Sequence, residues 1–368
     1  MTFREEFWDA FTKIEIANDL SIEEKMAKLS SVHEILRPHL PKSLYKYREC
    51  STRNLDALTR NVLYAVPASY MNDDFDSLVY VDKEYLENSV KYGLSKNFIE
   101  DVKEHKSLPS SLYKLIPAEV AKEIVDKALK LTEEEVEKRV NENTQSLQKI
   151  LKDMNQYIEA SIKDLQHNSL ISSFSTTPCD PSMWNRYAGG EKGFVLEYAV
   201  DGVRFDYCGR CKDAGTKNCD GTKVISYLYP IVYLKERYDA TAWIDNRIGR
   251  QVLENSGLVE ESKYIPDILV YDKCCLVKGD SWAKEDEWRI ICYPDFPMHH
   301  PEPVAIHTPV PSAIYYGSKI SDEDFRLLHK TIEEFRSKGA VIKEYKMYLD
   351  LYSRGFELKF KEISDNLK

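Results

Sequence analysis

One segment restricts the fold of this chain more than any other. From Thr132 to Leu165 the apolar side chains Val136, Val140, Leu147, Leu151, Met154, Ile158 and Leu165 recur in steps built from three and four residues. That is the period of one face of an α-helix. Thr132 with Glu135 forms a capping box at its start, and the narrow seam predicts a long amphipathic helix packed in a helical hairpin. On both sides of this region the period drops to two. SLYKYREC lies upstream, and SLISSFSTT, GFVLEYAV, LYPIVYL, EWRIICY, PSAIYYG and AVIKEYKMYL lie downstream, all with the signature of half-buried or buried strands. A second capping box, Ser21 with Glu24, opens a helix that Pro38 ends, and residues 322–339 read as a further helix.

The chain is therefore expected to be α+β. A mixed or antiparallel β-sheet core is assembled from residues 41–83 and 169–368. A helical subdomain, residues 84–168, is inserted into it, and a helical region, residues 1–40, precedes it. An insert of roughly eighty residues is far longer than an ordinary connection. Its apolar stripe is a candidate surface for a helical protein partner or for a second copy of the chain.

Composition limits the function. The 61 acids outnumber the 51 bases, for a formal charge of −10. That argues against broad, non-specific nucleic-acid binding and leaves room for a local basic cleft. No apolar run reaches the roughly 18 residues of a membrane span. MTFREEFWDAF is acidic and amphipathic, unlike a secretory signal, so a cytoplasmic location is expected and the eight cysteines are expected as thiols or metal ligands.

Three strands each present a polar face. In EDEWRIICY, Glu285, Glu287 and Arg289 alternate with Asp286, Trp288, Ile290 and Cys292, so the first set is expected to face a cleft or water. In SLYKYREC, Lys46 and Arg48 share a face opposite Tyr45 and Tyr47; in ISSFSTT, Ser173 and Ser175 lie opposite Phe174. A guanidinium suits a diphosphate, hydroxyls orient a ribose, and a carboxylate stabilises an oxocarbenium ion. Two acids one pleat apart are expected to raise one of the two pKa values, which suits Glu285 as a group that orients or deprotonates an acceptor. The plainer reading is that Glu285 and Glu287 pair with Lys284, Arg289 or a neighbouring strand, and that Arg48 is a surface ion pair. Trp184 and Tyr187 share one face of a helical turn before Gly189-Gly190; Trp184 reads as a hydrophobic plug and Tyr187 as a binding residue. Asn72–Asp76 reads as a capped turn or as a ribose or metal site. His33 and His329 read as helix-surface residues.

CGRCKDAGTKNC places Cys208, Cys211 and Cys219 in a turn-rich excursion. Cys-x-x-Cys at a turn is half of a structural zinc site, with Cys274, Cys275, Cys292 or His299 as the fourth ligand; free thiols are the alternative.

Taken in order, LYKYRECSTRNLDALTRNVLYAVPASYMNDDFD, ISSFSTTPCDPSMWNRYAGGEKGFVLEY and WAKEDEWRII resemble family 2971 of the bacterial domains of unknown function, from about Leu44 to about Tyr348. MNDDFD departs from that family's Asn-Asp-Pro-Phe, which removes a fixed backbone dihedral from the loop. The motif order is in turn similar to the ADP-ribosyltransferase superfamily, where an Arg or His, then a Ser-Thr-Ser or Tyr, then a Glu come from successive strands. By that resemblance the fold is ADP-ribosyltransferase-like and NAD is the substrate. Glu287 is catalytic, Glu285 activates the acceptor, and Arg48, Ser173, Ser175 and Tyr187 bind NAD. The acceptor is an unidentified protein or nucleic acid, and the family's usual company implies a toxin or phage-defence effector. An NAD glycohydrolase and a non-catalytic interaction module with a vestigial cleft are the alternatives.

Overall fold

A computed structural model describes residues 1–113, 118–208, 223–255, 265, 267–292 and 302–363. Its helices are α1 Phe3–Thr12, α2 Ile22–Leu36, α3 Thr52–Thr59, α4 Lys83–Gly93, α5 Lys96–His105, α6 Ser110–Tyr113, α7 Ala118–Lys130, α8 Glu133–His167, α9 Pro181–Tyr187, α10 Thr241–Asn255, α11 Val270–Cys275 and α12 Asp322–Ser337. Its strands are β1 Ser43–Arg48, β2 Val62–Pro67, β3 Leu170–Phe174, β4 Phe194–Ala199, β5 Arg204–Cys208, β6 Lys223–Pro230, β7 Val232–Leu234, β8 Val277–Gly279, β9 Trp288–Cys292, β10 Val304–His307, β11 Ala313–Tyr316, β12 Lys343–Tyr348 and β13 Lys359–Glu362. The architecture is mixed α+β.

The strands sort into two main systems. One is an open sheet of order β1-β4-β11-β12-β13, antiparallel except for the parallel β11–β12 pair. The other is a closed antiparallel barrel, β10-β2-β3-β9-β6-β5. A short parallel pair, β7–β8, flanks them. The two systems are stitched together just beyond the end of β3. The backbone N–H of Tyr45 donates to the carbonyl of Ser175 at 2.8 Å, and that of Ser175 donates back to Tyr45 at 2.9 Å. Where β1 and β3 part beside this bridge, a cleft opens.

Strand composition follows burial. The side chains of β9, WRIIC, are buried on both faces, and apolar residues fill nearly all of it. Arg289 is the exception, and its position explains the site below.

The long helix forms as its periodicity predicts. α8 runs unbroken for 35 residues from a capping box made by Thr132 and Glu135. Its seam is covered within the same chain. Met154, Ile158 and Leu165 pack with Phe7 and Phe11 of α1, Leu29, Val32 and Leu36 of α2, and Trp243, Ile244 and Ile248 of α10. Val102, Leu108, Ala121 and Val125 form a smaller cluster around α5 and α7. The N-terminal helices thus share a core with the C-terminal half of α8. α2 opens with the expected Ser21–Glu24 capping box and ends at Leu36, before Pro38.

His33 is not a solvated helix-surface residue. Its ring packs against Tyr227, with centroids 4.4 Å apart, and its Nε2 is 3.3 Å from the Tyr229 hydroxyl. Burial, and then the charge of Arg37, push its pKa down to about 4.

Candidate functional site

The cleft between β1 and β3 has a volume of about 470 Å³ and is lined by Arg48, Ser173, Ser175, Tyr187, Glu285 and Glu287. The structure therefore gathers six residues named from the sequence in one cavity, from segments more than two hundred residues apart. Its size falls in the roughly 300–1,000 Å³ range of small-ligand sites. Aromatic rings of Tyr45, Tyr47, Tyr64 and Phe174 and the basic side chains of Lys46, Arg53 and Lys278 complete much of its wall.

The acidic side differs from the pleated face expected of EDEWRIICY. Glu285 ends a short 3₁₀ turn, Asp280–Glu285, and Asp286 takes a left-handed conformation with φ 44° before β9 begins at Trp288. This turn, not strand alternation, swings Glu285 and Glu287 to the same side. The Asp286 carboxylate, on the other side, pairs with Arg4 of α1 and accepts the Thr176 hydroxyl. Arg4 also donates to the Glu287 carbonyl at 3.2 Å, and the Glu287 N–H donates to the Tyr233 hydroxyl at 2.8 Å, so both flanks of the turn are fixed.

Nor do the charges open freely on water. Arg289 is fully buried, and Glu285, Glu287 and Lys278 are each at most 4 % exposed. They survive burial because each is paired, as buried charges must be. Asp76 grips the Arg289 guanidinium with both oxygens, at 2.8 and 2.5 Å. Arg289 Nε donates to Glu287 at 2.7 Å; Lys278 Nζ donates to Glu287 at 3.2 Å and to Glu285 at 2.8 Å; Arg186 reaches Glu285 at 3.2 Å. Three carboxylates, Asp76, Glu287 and Glu285, alternate with three cations, Arg289, Lys278 and Arg186, so this relay is electrically neutral.

For Glu287 that arrangement lowers the pKa instead of raising it. Burial alone would raise Glu287, but Arg289 and Lys278 overrule it and hold the group at about 2. The ammonium between the two acids removes their mutual repulsion, so Glu287 is a permanent carboxylate and no proton acceptor near neutral pH. The plainer pairing with Arg289 is present; Lys284 takes no part among the ion pairs of the described residues.

Tyr187 extends the relay into the cleft. Its hydroxyl donates to Glu285 at 2.8 Å and accepts from Asn72 at 3.1 Å, and burial with the nearby Glu285 charge raises its pKa. Trp184 is the plug, fully buried with its indole N–H on the Pro178 carbonyl at 2.7 Å. Ser175 donates to the Glu285 carbonyl at 3.1 Å, which ties the bridge to the acidic turn. The Ser173 hydroxyl is buried without a hydrogen-bond partner. In the Asn72–Asp76 loop, Asp73 caps the Phe75 N–H at 3.0 Å, as a turn would. Asp76 instead points inward to Arg289.

The basic side is built from β1 and α3. Lys46 and Arg48 project from the same face of β1, as the alternation predicts, and both are half-buried. Lys46 Nζ donates to the Ser173 carbonyl at 2.5 Å and to the Ser172 hydroxyl at 3.3 Å. One terminal nitrogen of Arg48, Nη2, is buried with no partner, and burial lowers the guanidinium pKa to about 10. Exposed Arg53 at the mouth stacks 4.3 Å over the Tyr64 ring. Among the described residues no carboxylate forms an ion pair with Lys46, Arg48 or Arg53.

Sequence reasoning missed Lys278, Asp76 as an anchor, Arg186 and Arg53. Lys278 sits in a short apolar strand with no motif around it, and its role exists only because β8 packs beside the acidic turn. Lys46 was visible on the shared face, without a role.

Of the proposed zinc ligands, Cys211 and Cys219 lie outside the described residues and Cys208 ends β5. Cys274, Cys275 and Cys292 are buried in the apolar core, and His299 lies outside the described residues. Among the described residues, His329, Glu333 and Glu344 bring ligand atoms within 4.8 Å of one another. Arg336 already bridges Glu333 and Glu344 at 2.6 Å each, which makes this an ion-pair cluster.

A family model of proteins of unknown function, DUF2971, matches residues 183–290. That stretch contains Tyr187, Lys278, Glu285, Glu287 and Arg289, whereas Lys46, Arg48, Ser173 and Ser175 lie before it. No curated protein and no solved structure gives a match. Among the described residues no helix is long and apolar enough to cross a membrane.

Proposed function

We propose that this protein is an NAD-consuming enzyme of the ADP-ribosyltransferase type. The observation that carries this reading is the division of the cleft. A self-neutralised carboxylate relay forms one side, and cations without counter-ions form the other, in a chain that is acidic overall. A dinucleotide needs both: cations for its diphosphate, and a fixed negative charge where the bond from ribose to nicotinamide breaks. Arg48, with its unpartnered nitrogen, takes the diphosphate. Glu287, a carboxylate at every physiological pH, accepts a ribose hydroxyl and stabilises positive charge on the sugar as the C–N bonding pair leaves with nicotinamide. Ser173, whose buried hydroxyl lies beside Glu287, turns it to the same sugar, and the Tyr187 ring lies beside Glu285 where the leaving base would stack. The acceptor nucleophile then bonds to the anomeric carbon with its own electron pair and releases its proton to bulk water.

Purified protein incubated with NAD labelled in the nicotinamide and in the adenine tests this. Nicotinamide release that falls roughly 10²–10³-fold in Glu287→Gln, with the fold intact by circular dichroism, is the expected result. Arg48→Met lies outside the buried relay and is expected to raise KM. No release from the parent protein, with and without a lysate as acceptor source, overturns the reading. Label on macromolecules marks a transferase, and free ADP-ribose marks a glycohydrolase.

A further inference from the structure

We propose that Lys46, Arg48 and Arg53 form a phosphoanhydride-binding subsite that takes up a proton when its ligand binds, with Lys46 as the group protonated. The subsite is the one used for NAD above, but the proton coupling follows from the local chemistry alone.

The argument starts from the charges around Lys46. From its own strand it faces Arg48; from the β9 segment it faces Glu287 and Arg289. Glu287 is already engaged by Arg289 and Lys278, and Arg289 by Asp76, so neither acid is left to serve as counter-ion for Lys46. From β3 come only neutral groups, the Ser173 carbonyl, the Ser172 hydroxyl and the Phe174 ring at 5.1 Å. An ammonium in such a place is partly desolvated, repelled by guanidinium groups and, among the described residues, without a carboxylate partner. A neutral amine fits it better. Its two N–H groups match the two acceptors on β3, and its lone pair remains. Burial first, and then Arg48 and Arg289 against Glu287, accordingly hold the amine well below the usual lysine range.

A bound anion reverses that balance. A diphosphate between Lys46, Arg48 and Arg53 supplies the missing counter-charge, satisfies the buried Nη2 of Arg48 and draws a proton onto Lys46. The N-terminus of α3, whose Ser51, Arg53 and Asn54 line the same cavity, adds its partial positive charge.

Inorganic pyrophosphate is the probe, titrated calorimetrically into the full chain near neutral pH in two buffers of different ionisation enthalpy. The expected result is saturable binding with an uptake of up to about one proton per site. Lys46→Arg keeps binding and loses the uptake, because a guanidinium stays protonated. Arg48→Met weakens binding by roughly tenfold or more. Pyrophosphate can itself release a proton on binding, so the readout is the difference between parent and variant: absence of binding, or the same net proton uptake in the parent protein and in a folded Lys46→Arg variant, overturns the proposal. Pyrophosphate binding with proton uptake but no NAD turnover keeps this inference and removes the enzymatic reading. NAD turnover with equal net proton uptake in the parent and in Lys46→Arg does the reverse.

Discussion

The ammonium of Lys278 lies 2.8 Å from a carboxylate oxygen of Glu285, and the same nitrogen reaches Glu287 at 3.2 Å. Burial works against that charge, but the two acids raise the Lys278 pKa even so. The lysine is the pin that allows two glutamates to occupy one buried corner. Lys278→Met is expected to cost about 3–5 kcal/mol in urea denaturation, because it leaves two carboxylates facing one another in a dry site. Adding Glu285→Gln should recover part of the loss, with a coupling above about 1 kcal/mol. A single variant within about 0.5 kcal/mol of the parent would show that water reaches this corner freely.

Asp76 and Asn72 sit four residues apart in one loop and do opposite things. Asp76 is buried and holds Arg289 with both oxygens; Asn72 is exposed and donates to the Tyr187 hydroxyl. Asp76→Asn is expected to lower stability by about 3–5 kcal/mol, since it strips a fully buried guanidinium of its counter-charge. Asn72→Ala should stay within about 0.5 kcal/mol. Equal effects in thermal melts would contradict the assignment of Asp76 as the anchor.

Gly193 lies where β4 begins beside Arg48. A Cβ there would stand 2.1 Å from the Arg48 carbonyl oxygen and 3.0 Å from that of Ala188, both backbone atoms that a rotamer change does not move. Gly193→Ala is therefore expected to cost about 1–3 kcal/mol and, by displacing Arg48, to weaken pyrophosphate binding. Gly202→Ala, where a Cβ meets nothing within 4 Å, is the control. Unchanged binding in the Gly193 variant would mean that the Arg48 side chain does not need this backbone position.

His33 sets an acid limit on stability. Its folded pKa of about 4 lies below the usual histidine value of 6.5, so between these values the unfolded chain binds more protons than the folded one. Stability therefore rises with pH through this window and is lost as pH falls through it. The Tm should drop between about pH 6.5 and about pH 4, and drop less in His33→Phe, which keeps a ring packed against Tyr227 without the titration. Parallel Tm curves for the two proteins would place the acid sensitivity elsewhere. Glu287 contributes only at lower pH. Its stabilisation is present above the usual carboxylate range and disappears as pH approaches its folded pKa of about 2.

Much of this architecture was legible because it follows from local rules. The capping boxes at Ser21 and Thr132 start the helices they announce, and the two-residue alternation of SLYKYREC sets Lys46 and Arg48 on one face of β1. The Trp184 plug was legible for the same reason, a bulky aromatic at helical spacing from its neighbours. Alternation failed at EDEWRIICY, because it assumes a strand. Residues 280–285 form a 3₁₀ turn and Asp286 is left-handed, a backbone choice held in place by Arg4 of α1.

What the amino-acid order settled alone is which elements form and which side chains leave each strand on the same side. Those properties depend on neighbours a few residues away. What tertiary structure decided is the electrostatic meaning of the acids. A carboxylate pair repels in isolation and is stabilised here by Lys278 and Arg289, and Arg289 in turn depends on Asp76, 213 residues away. Protonation is set by every charge within a few ångströms and by the exclusion of water, and only the folded chain brings those charges together.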